Sequence, residues 1–505
     1  MIEKHIVLED IDPVIFYGPN NAHIQMIKAL FPKLRIVARG NVIKVMGDEE
    51  EMCAFEEAVL ALEKYCVQYN SLNEETILDI VKGNAPKTEK AGNAIVFSVT
   101  GKPIIPRSEN QLKLVQEFEK NAQANGAHVY WAKDADEYCS IIYNILHGHN
   151  VHRFIKSKSM LAEECGLNEF LIQKGIDVVE SDLGERILQL MHKKPSHIVV
   201  PAIHIKKEEI GELFVKEMGT EPGNNDQTYL THAARKNLRH KFLEAEAAMT
   251  GANFAVASTG EFVVCTNEGN ADMGTSQPKL QIAAFGLEKI VPDREALGVF
   301  TRLLARSGTG QPITTYTSHY RKPRKGGELH IIIVDNGRSN ILADQEHVKT
   351  LNCLRCGACM NTCPVYRRSG GYSYTYFIPG PIGINLGMLK APLHYYDNVS
   401  ACSLCYSCQN VCPAKVDLAD QIYRWRQKLD DLGVASSSKR TMSGGMKVLM
   451  EHPALFNFAL ARASWVNSFP HALIYNGLND WGKEHDMPQF AKESFNEMWK
   501  KGKVK

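Results

Sequence analysis

Apolar residues recur along this chain in two rhythms, and the shift between them divides it. Ile24, Ile27 and Leu30 stand at helical spacing, which predicts a helix over residues 21–30 with Asn20 as its cap. Residues 34–38 and 42–46 are apolar runs flanking Arg39-Gly40-Asn41, a strand–turn–strand signature. Asp48, Glu49, Glu50 and Glu51 then open a helix reaching Tyr69, because acidic side chains suit the positive end of a helix dipole. Residues 84–93 are polar with Pro and Gly and read as a linker. From about 118 to 340 strand-like runs alternate with helical ones. The strands are 128–131, 197–200, 254–256, 262–264 and 329–334, with helices at 135–148 and 186–192 among them. Such alternation predicts a βαβ-type sheet covered by helices. Residues 415–431 and 438–505 read as mostly helical, ending in a charged, fraying tail at Lys500–Lys505.

Composition adds little. The chain has 505 residues, 44% hydrophobic and 23% charged, with a formal net charge of +1. That length suits about two to four domains. A charge so near zero gives no bulk electrostatic case for nucleic acid or an anionic membrane. No apolar run approaches the roughly 18–20 residues that span a bilayer; residues 454–460 are short and interrupted by Asn457. Residues 1–10 hold too few apolar positions for a secretion signal. The expected location is cytoplasmic, either free or peripheral to the inner membrane.

The cysteines change the picture. Eight of the 13 fall in two matching runs, Cys353-x2-Cys356-x2-Cys359-x3-Cys363-Pro364 and Cys402-x2-Cys405-x2-Cys408-x3-Cys412-Pro413. This is the double ferredoxin spacing, in which the fourth cysteine of each run ligates the other cluster. One cubane 4Fe–4S cluster is therefore assigned to Cys353, Cys356, Cys359 and Cys412, and a second to Cys402, Cys405, Cys408 and Cys363. Structural zinc usually takes separated ligand pairs, and disulfides need an oxidising compartment; neither suits these runs. Cys53, Cys66, Cys139, Cys165 and Cys265 are scattered singly and read as reduced, incidental thiols.

Two resemblances follow. Residues 119–505 resemble the lactate utilization protein B family. The likeness rests on Asp182-Leu183-Gly184-Glu185-Arg186-Ile187, on Pro195–His204, on Met249–Asn253 with Ser258–Glu261 and Thr266–Asn270, and on the cysteine runs with Phe377–Gly383 between them. The resemblance implies an α/β domain of sugar-isomerase or CoA-transferase type (a LUD domain), then a ferredoxin-type module and a helical C-terminus. It also implies a part in oxidising L-lactate to pyruvate. The implied partners are two other lactate-utilization subunits, a cysteine-rich iron–sulfur protein and a second LUD-domain protein. Residues 1–117 resemble instead the N-terminal region of PhoH-type ATPases, through Ile11–Asn21, Arg39-Gly40-Asn41 and Gly101–Gln111. No G-x-x-x-x-G-K-[ST] loop follows anywhere, so no ATPase activity is expected. The two patterns meet near Phe118–Asn121, which makes the chain a chimera. The expected fold is α/β and multidomain: a PhoH-like α/β unit at 1–83, a linker and fusion segment at 84–118, a LUD-type domain at 119–340, a ferredoxin-type module at 341–432 and a helical domain at 433–505.

Other candidate sites carry two readings. Gly251, Ser258, Thr259, Gly260 and Gly269 lie between expected strands, where backbone amides can cradle an anion or merely shape turns. Glu261, Glu268 and Asp272 offer acid–base groups or solvated loop carboxylates. Asp182 and Glu185 read as helix-capping residues before catalytic ones. His197, His204, His232 and His240 lack the paired spacing of metal ligands. Tyr372, Tyr374, Tyr376 and Phe377 lie between the cysteine runs and shield the clusters or form a docking surface. Gly308-Thr309-Gly310-Gln311 fails the dinucleotide template, and no flavin site is evident. Because cubanes carry single electrons while lactate oxidation removes two, the expected role is that of a non-autonomous oxidoreductase subunit relaying electrons. The rival readings are a redox sensor whose N-terminal unit binds RNA or protein, and a ligase or transferase with structural clusters.

Overall fold

The computed structural model describes residues 2–8, 16–18, 21–69, 72, 74–81, 96–100, 103–104, 109–431, 437–470 and 489–504. Asn20, the linker at 84–93 and most of the PhoH-like stretches at 11–20 and 101–108 lie outside these residues. The chain forms two compact units, 1–427 and 428–505.

Within the first unit, β1 (Ile2–Val7), β2 (Arg35–Arg39) and β3 (Val42–Gly47) make a small antiparallel sheet with β3 in the centre. The burial of β3 alternates along the strand, so one face packs on the helices Ala22–Leu30 and Glu49–Tyr69, around Ile27, Ile43, Val45, Phe55 and Leu62. A two-stranded ribbon follows, β4 (Val96–Phe97) against β5 (Pro103–Ile104).

The larger part is a six-stranded sheet whose pairs are all parallel. Its strands are β6 (His128–Ala132), β7 (Arg153–Lys156), β8 (Asp177–Glu180), β9 (Ala247–Gly251), β12 (Leu280–Gly286) and β15 (Glu328–Val334). A second, four-stranded sheet holds β10 (Phe254–Val256), β11 (Glu261–Thr266), β13 (Ile290–Val291) and β14 (Tyr316–Tyr320). The six-stranded order is β6-β15-β12-β9-β7-β8. From β7 the chain goes outward to β8, then returns to the other side of β7 to lay down β9. The order therefore reverses between β7 and β9, and such a switch point opens a crevice beyond the strands' carboxyl ends. Helices cover both faces, so β12 and β15 are near-continuous apolar runs, as a doubly covered parallel sheet requires.

One expectation changes here. The apolar run 197–200 is not a strand. Pro195 and Pro201 bracket it, Ser196 N bonds Pro201 O, and the amides of Val199 and Val200 donate to His197 Nδ1 at 3.0 and 3.1 Å. Two of the four amides of 197–200 are thus spent on the His197 ring and not on a ladder. Residues 118–121, where the two sequence resemblances meet, lie inside one continuous helix, Glu109–Ala124. Phe118 on that helix is fully buried and packs edge-on against Phe285 of β12, while Asn121 Nδ2 donates to Ala257 O at 2.8 Å. The helix is thus built into the large α/β domain.

The second unit contains the helices Ser437–Glu451, Pro453–Arg462 and Phe495–Lys500. Among the described residues, no helix is long and apolar enough to cross a membrane.

Candidate iron–sulfur site and adjoining cavity

The two cysteine runs fold as two copies of one backbone path. In each, the residue before the second cysteine is left-handed, Arg355 at φ 62° and Leu404 at φ 51°. So is the residue after it, Gly357 at 78° and Tyr406 at 62°. Left-handed backbone costs an ordinary residue about 1–2 kcal/mol, and both runs carry it at the same two places. Short helices then start in register, Ala358–Thr362 and Ser407–Val411, and pack on each other. Each ends at its fourth cysteine, and the following proline opens the next stretch.

Several of the thiols lie near one another. Burial pushes the Cys356 thiol up to about 11, with Cys353 and Cys412 beside it adding to the shift. Cys408 is pushed to about 12 by burial and by Cys402 and Cys363. Cys359, buried, feels Cys353 and Cys356 of its own group and also Cys408 of the other. The two groups are therefore neighbours. Backbone amides aim at sulfur in both runs: Arg355 N to Cys353 Sγ, Leu404 N to Cys402 Sγ and Val416 N to Cys412 Sγ, each at 3.4 Å, with Tyr366 N to Cys363 Sγ at 3.5 Å. All eight cysteines are free of disulfides. Two sets of neighbouring thiols, several of them met by backbone N–H donors, fit two cubane clusters. Thiols so placed ionise when metal binds, and the amides then stabilise the sulfur charge. Of the tyrosines between the runs, Tyr374 and Tyr376 are buried, Tyr374 against Cys363, whereas Tyr372 is half exposed with its hydroxyl on Lys194 O.

The cluster module is seated on the α/β domain by specific contacts. Tyr366 Oη donates to Ser196 O at 2.7 Å, His197 Nε2 meets Asn361 Oδ1 at 3.1 Å, and Lys289 Nζ donates to Cys353 O at 3.3 Å. His197 is thus a bridging group whose ring nitrogens are both engaged. Gly371 abuts the Ser196 backbone so closely that any Cβ there would collide with it.

At the switch point lies a cavity of about 440 Å3. Its wall takes Ser157, Lys158 and Ser159 from the end of β7, Gly251 and Asn253 from the end of β9, and Gly286 from the end of β12. Asp182, Glu268 and Cys265 join them, and the far side is closed by Leu354, Arg355 and Cys356 of the first cysteine run. A cluster-holding loop therefore forms one wall of the strand-end crevice. Glu268 is an exposed residue whose carboxyl turns into this cavity; loss of water and the nearby Asp182 push it up to about 7. Arg355 Nη1 is buried without a hydrogen-bond partner among the described residues.

Of the residues singled out from sequence, Gly251, Glu268 and Asp182 line the cavity, and Asp182 also caps the helix Leu183–Met191 by accepting from Glu185 N at 2.9 Å. Glu185 is buried near Glu180 and Lys156, and burial raises its carboxyl well above the usual range. The anion-cradle reading fails for Ser258, Thr259 and Gly260. Their amides are already spent on Pro292 O and Val256 O, and their turn lies against Asn121 and Ala122. Gly269 caps the short helix Asn270–Ser276 beside Tyr316. Glu261 is gripped by Arg294 at 2.6 and 2.8 Å and by His319 at 3.2 Å, and Asp272 accepts from Tyr320 Oη. Both carboxylates are engaged with neighbouring side chains. Cys265, read as incidental, lines the cavity as a thiol that burial raises to about 11.

This geometry defines an iron–sulfur protein: a parallel α/β domain with a strand-end cavity, closed on one side by a ferredoxin-type module for two 4Fe–4S clusters. Comparison with known proteins agrees. A family model for the LUD domain matches residues 115–341, and one for a 4Fe-4S dicluster domain matches residues 349–416. An uncharacterized electron transport protein, YkgF of Escherichia coli, is 40% identical over 400 residues, covering 77% of this chain and 84% of its own. Lactate utilization protein B of Macrococcus caseolyticus is 39% identical over 404 residues, covering 77% and 84%. That of Oceanobacillus iheyensis is 37% identical over 435 residues, covering 83% and 90%. The chain belongs to the lactate utilization protein B family.

Proposed function

We propose that this chain is the iron–sulfur electron-transfer subunit of an L-lactate oxidation assembly. The observation that carries this reading is the placement of Cys356, which stands both in a thiol quartet and in the wall of the strand-end cavity. A small-molecule crevice thereby touches the first of two adjacent clusters. When bound, the two cubanes carry one electron each, together matching the two electrons released as lactate becomes pyruvate. The chain's own residues do the rest. Arg355 supplies positive charge between cavity and cluster, Glu268 holds or releases a proton near neutral pH, and the buried tyrosines keep water from the second quartet. Partner subunits, a cysteine-rich iron–sulfur protein and a second LUD-domain protein, complete the two-electron chemistry. The names of the relatives, electron transport and lactate utilization, support this reading.

The test is anaerobic reduction followed by absorbance and electron paramagnetic resonance. L-lactate is expected to reduce the clusters when the partner subunits are present and not when they are absent. Failure to reduce them with the full assembly removes the lactate role. Cys356→Ser should lower bound iron from about eight to about four per chain; unchanged iron would refute the quartet assignment.

A further inference from the structure

At the opposite pole of the six-stranded sheet, three histidines surround one carboxylate. His128 opens the edge strand β6, Glu328 and His330 open β15, and the two strands pair in register with His330 facing His128. His149 follows the end of the helix Ala135–Gly148. Ligand atoms of His128, His330 and Glu328 all lie within 4.8 Å of one another. His149 Nε2 and His330 Nε2 approach the same oxygen, Glu328 Oε2, at 3.3 and 3.2 Å.

The outer contacts of these rings matter most. His149 Nδ1 lies 2.8 Å from Ile145 O; a carbonyl only accepts, so that nitrogen carries the ring proton. In the neutral ring Nε2 then turns a lone pair toward a carboxylate oxygen, which is repulsive unless a second proton or a cation lies between them. His330 Nδ1 lies 3.0 Å from the Tyr130 hydroxyl, which can donate or accept, so this ring can turn its Nε2 lone pair to a cation while Nδ1–H donates to Tyr130. An imidazole whose far nitrogen donates to a backbone carbonyl, as that of His149 does, is the form in which histidine ligates metal, and three imidazoles with one carboxylate suit a zinc-class cation. We infer that His128, His149, His330 and Glu328 bind one divalent cation of this class. It clamps the edge strand β6 to β15 and to the end of the covering helix. The site lies at the strands' amino ends, away from the cavity and the clusters, so its role is structural.

The experiment uses the full chain, purified anaerobically with its clusters, incubated with Zn2+ and desalted, then analysed for zinc and iron. About one zinc per chain is expected beside unchanged iron, with X-ray absorption reporting nitrogen and oxygen ligands and no sulfur. His149→Ala and Glu328→Gln should each weaken retention at least about tenfold, while His232→Ala, an exposed histidine of the helix Gln227–Glu244, should not. If either variant loses its clusters or its circular dichroism, the exposed His128→Ala takes its place with the same expected loss. Zinc bound through sulfur, no retained zinc, or retention by the ligand variants would overturn the inference; the last two outcomes would mean an imidazolium–carboxylate cluster.

Discussion

Arg338, 6% exposed, holds two carboxylates at once. Its Nη1 and Nη2 meet Glu164 at 3.0 and 2.9 Å, and its Nε meets Glu288 at 2.6 Å. Burial alone would raise Glu164, but Arg338 overrides it and holds the carboxyl at about 2. A carboxyl depressed in the folded state contributes stability that is complete above its unfolded value, about 4.3, and lost as pH falls from there through about 2. Acid unfolding followed by fluorescence should show that loss. Arg338→Met should abolish it and cost roughly 3–5 kcal/mol near neutral pH, because two buried carboxylates are left unpaired. A variant melting within a degree of the parent would contradict this. Glu268 has the opposite sign. Raised in the folded state, it erodes stability as pH climbs from about 4.3 through about 7. Glu268→Gln should therefore raise the melting temperature at pH 8 and leave it unchanged at pH 4. Neither group stands out in the sequence as paired, since Glu164, Glu288 and Arg338 are scattered over the chain and meet only after the sheet forms.

The cysteine loops are legible in the sequence because their information is local. Three thiols, a turn and a stopping proline all fall within a dozen residues, so spacing alone specifies the path. The helix Ala135–Gly148 and the strand Phe254–Val256 are equally plain, with a capping Asp134 and turn residues at their ends. The segment 197–200 misleads because apolar content does not reveal where amides go, and His197 takes two of them. The helix Glu109–Ala124 offers a direct test of how the α/β domain is built. Phe118→Ala should cost roughly 3–5 kcal/mol, measured by denaturant unfolding of the large unit. A neutral result would mean that this helix is an appendage.

Across the whole molecule, the sequence reading finds β6 and β15 of the six-stranded sheet but not β7, β8, β9 or β12, nor the strand order, because apolar runs do not say which neighbour they pair with. The cavity depends on that order. It joins residues 157, 182, 251, 268 and 355, which share no motif. The histidine site is hidden for the same reason, its members being brought together by the β6–β15 pairing. The adjacency of the two thiol quartets, through Cys359 and Cys408, makes a prediction at this scale. The fully reduced protein should give an electron paramagnetic resonance spectrum broadened by interaction between two spins. Cys405→Ser should simplify it to a single unperturbed centre, and two independent signals in the parent would argue against neighbouring clusters.

The shared position of Cys356 binds cavity and cluster into one thermodynamic cycle. A molecule that prefers the cavity beside a reduced cluster must raise that cluster's midpoint potential, and reduction must tighten its binding by the same factor. Occupancy of the crevice then decides when the relay takes up or releases its electron. A potentiometric titration with and without a cavity ligand would read that coupling directly, whatever the ligand's own chemistry.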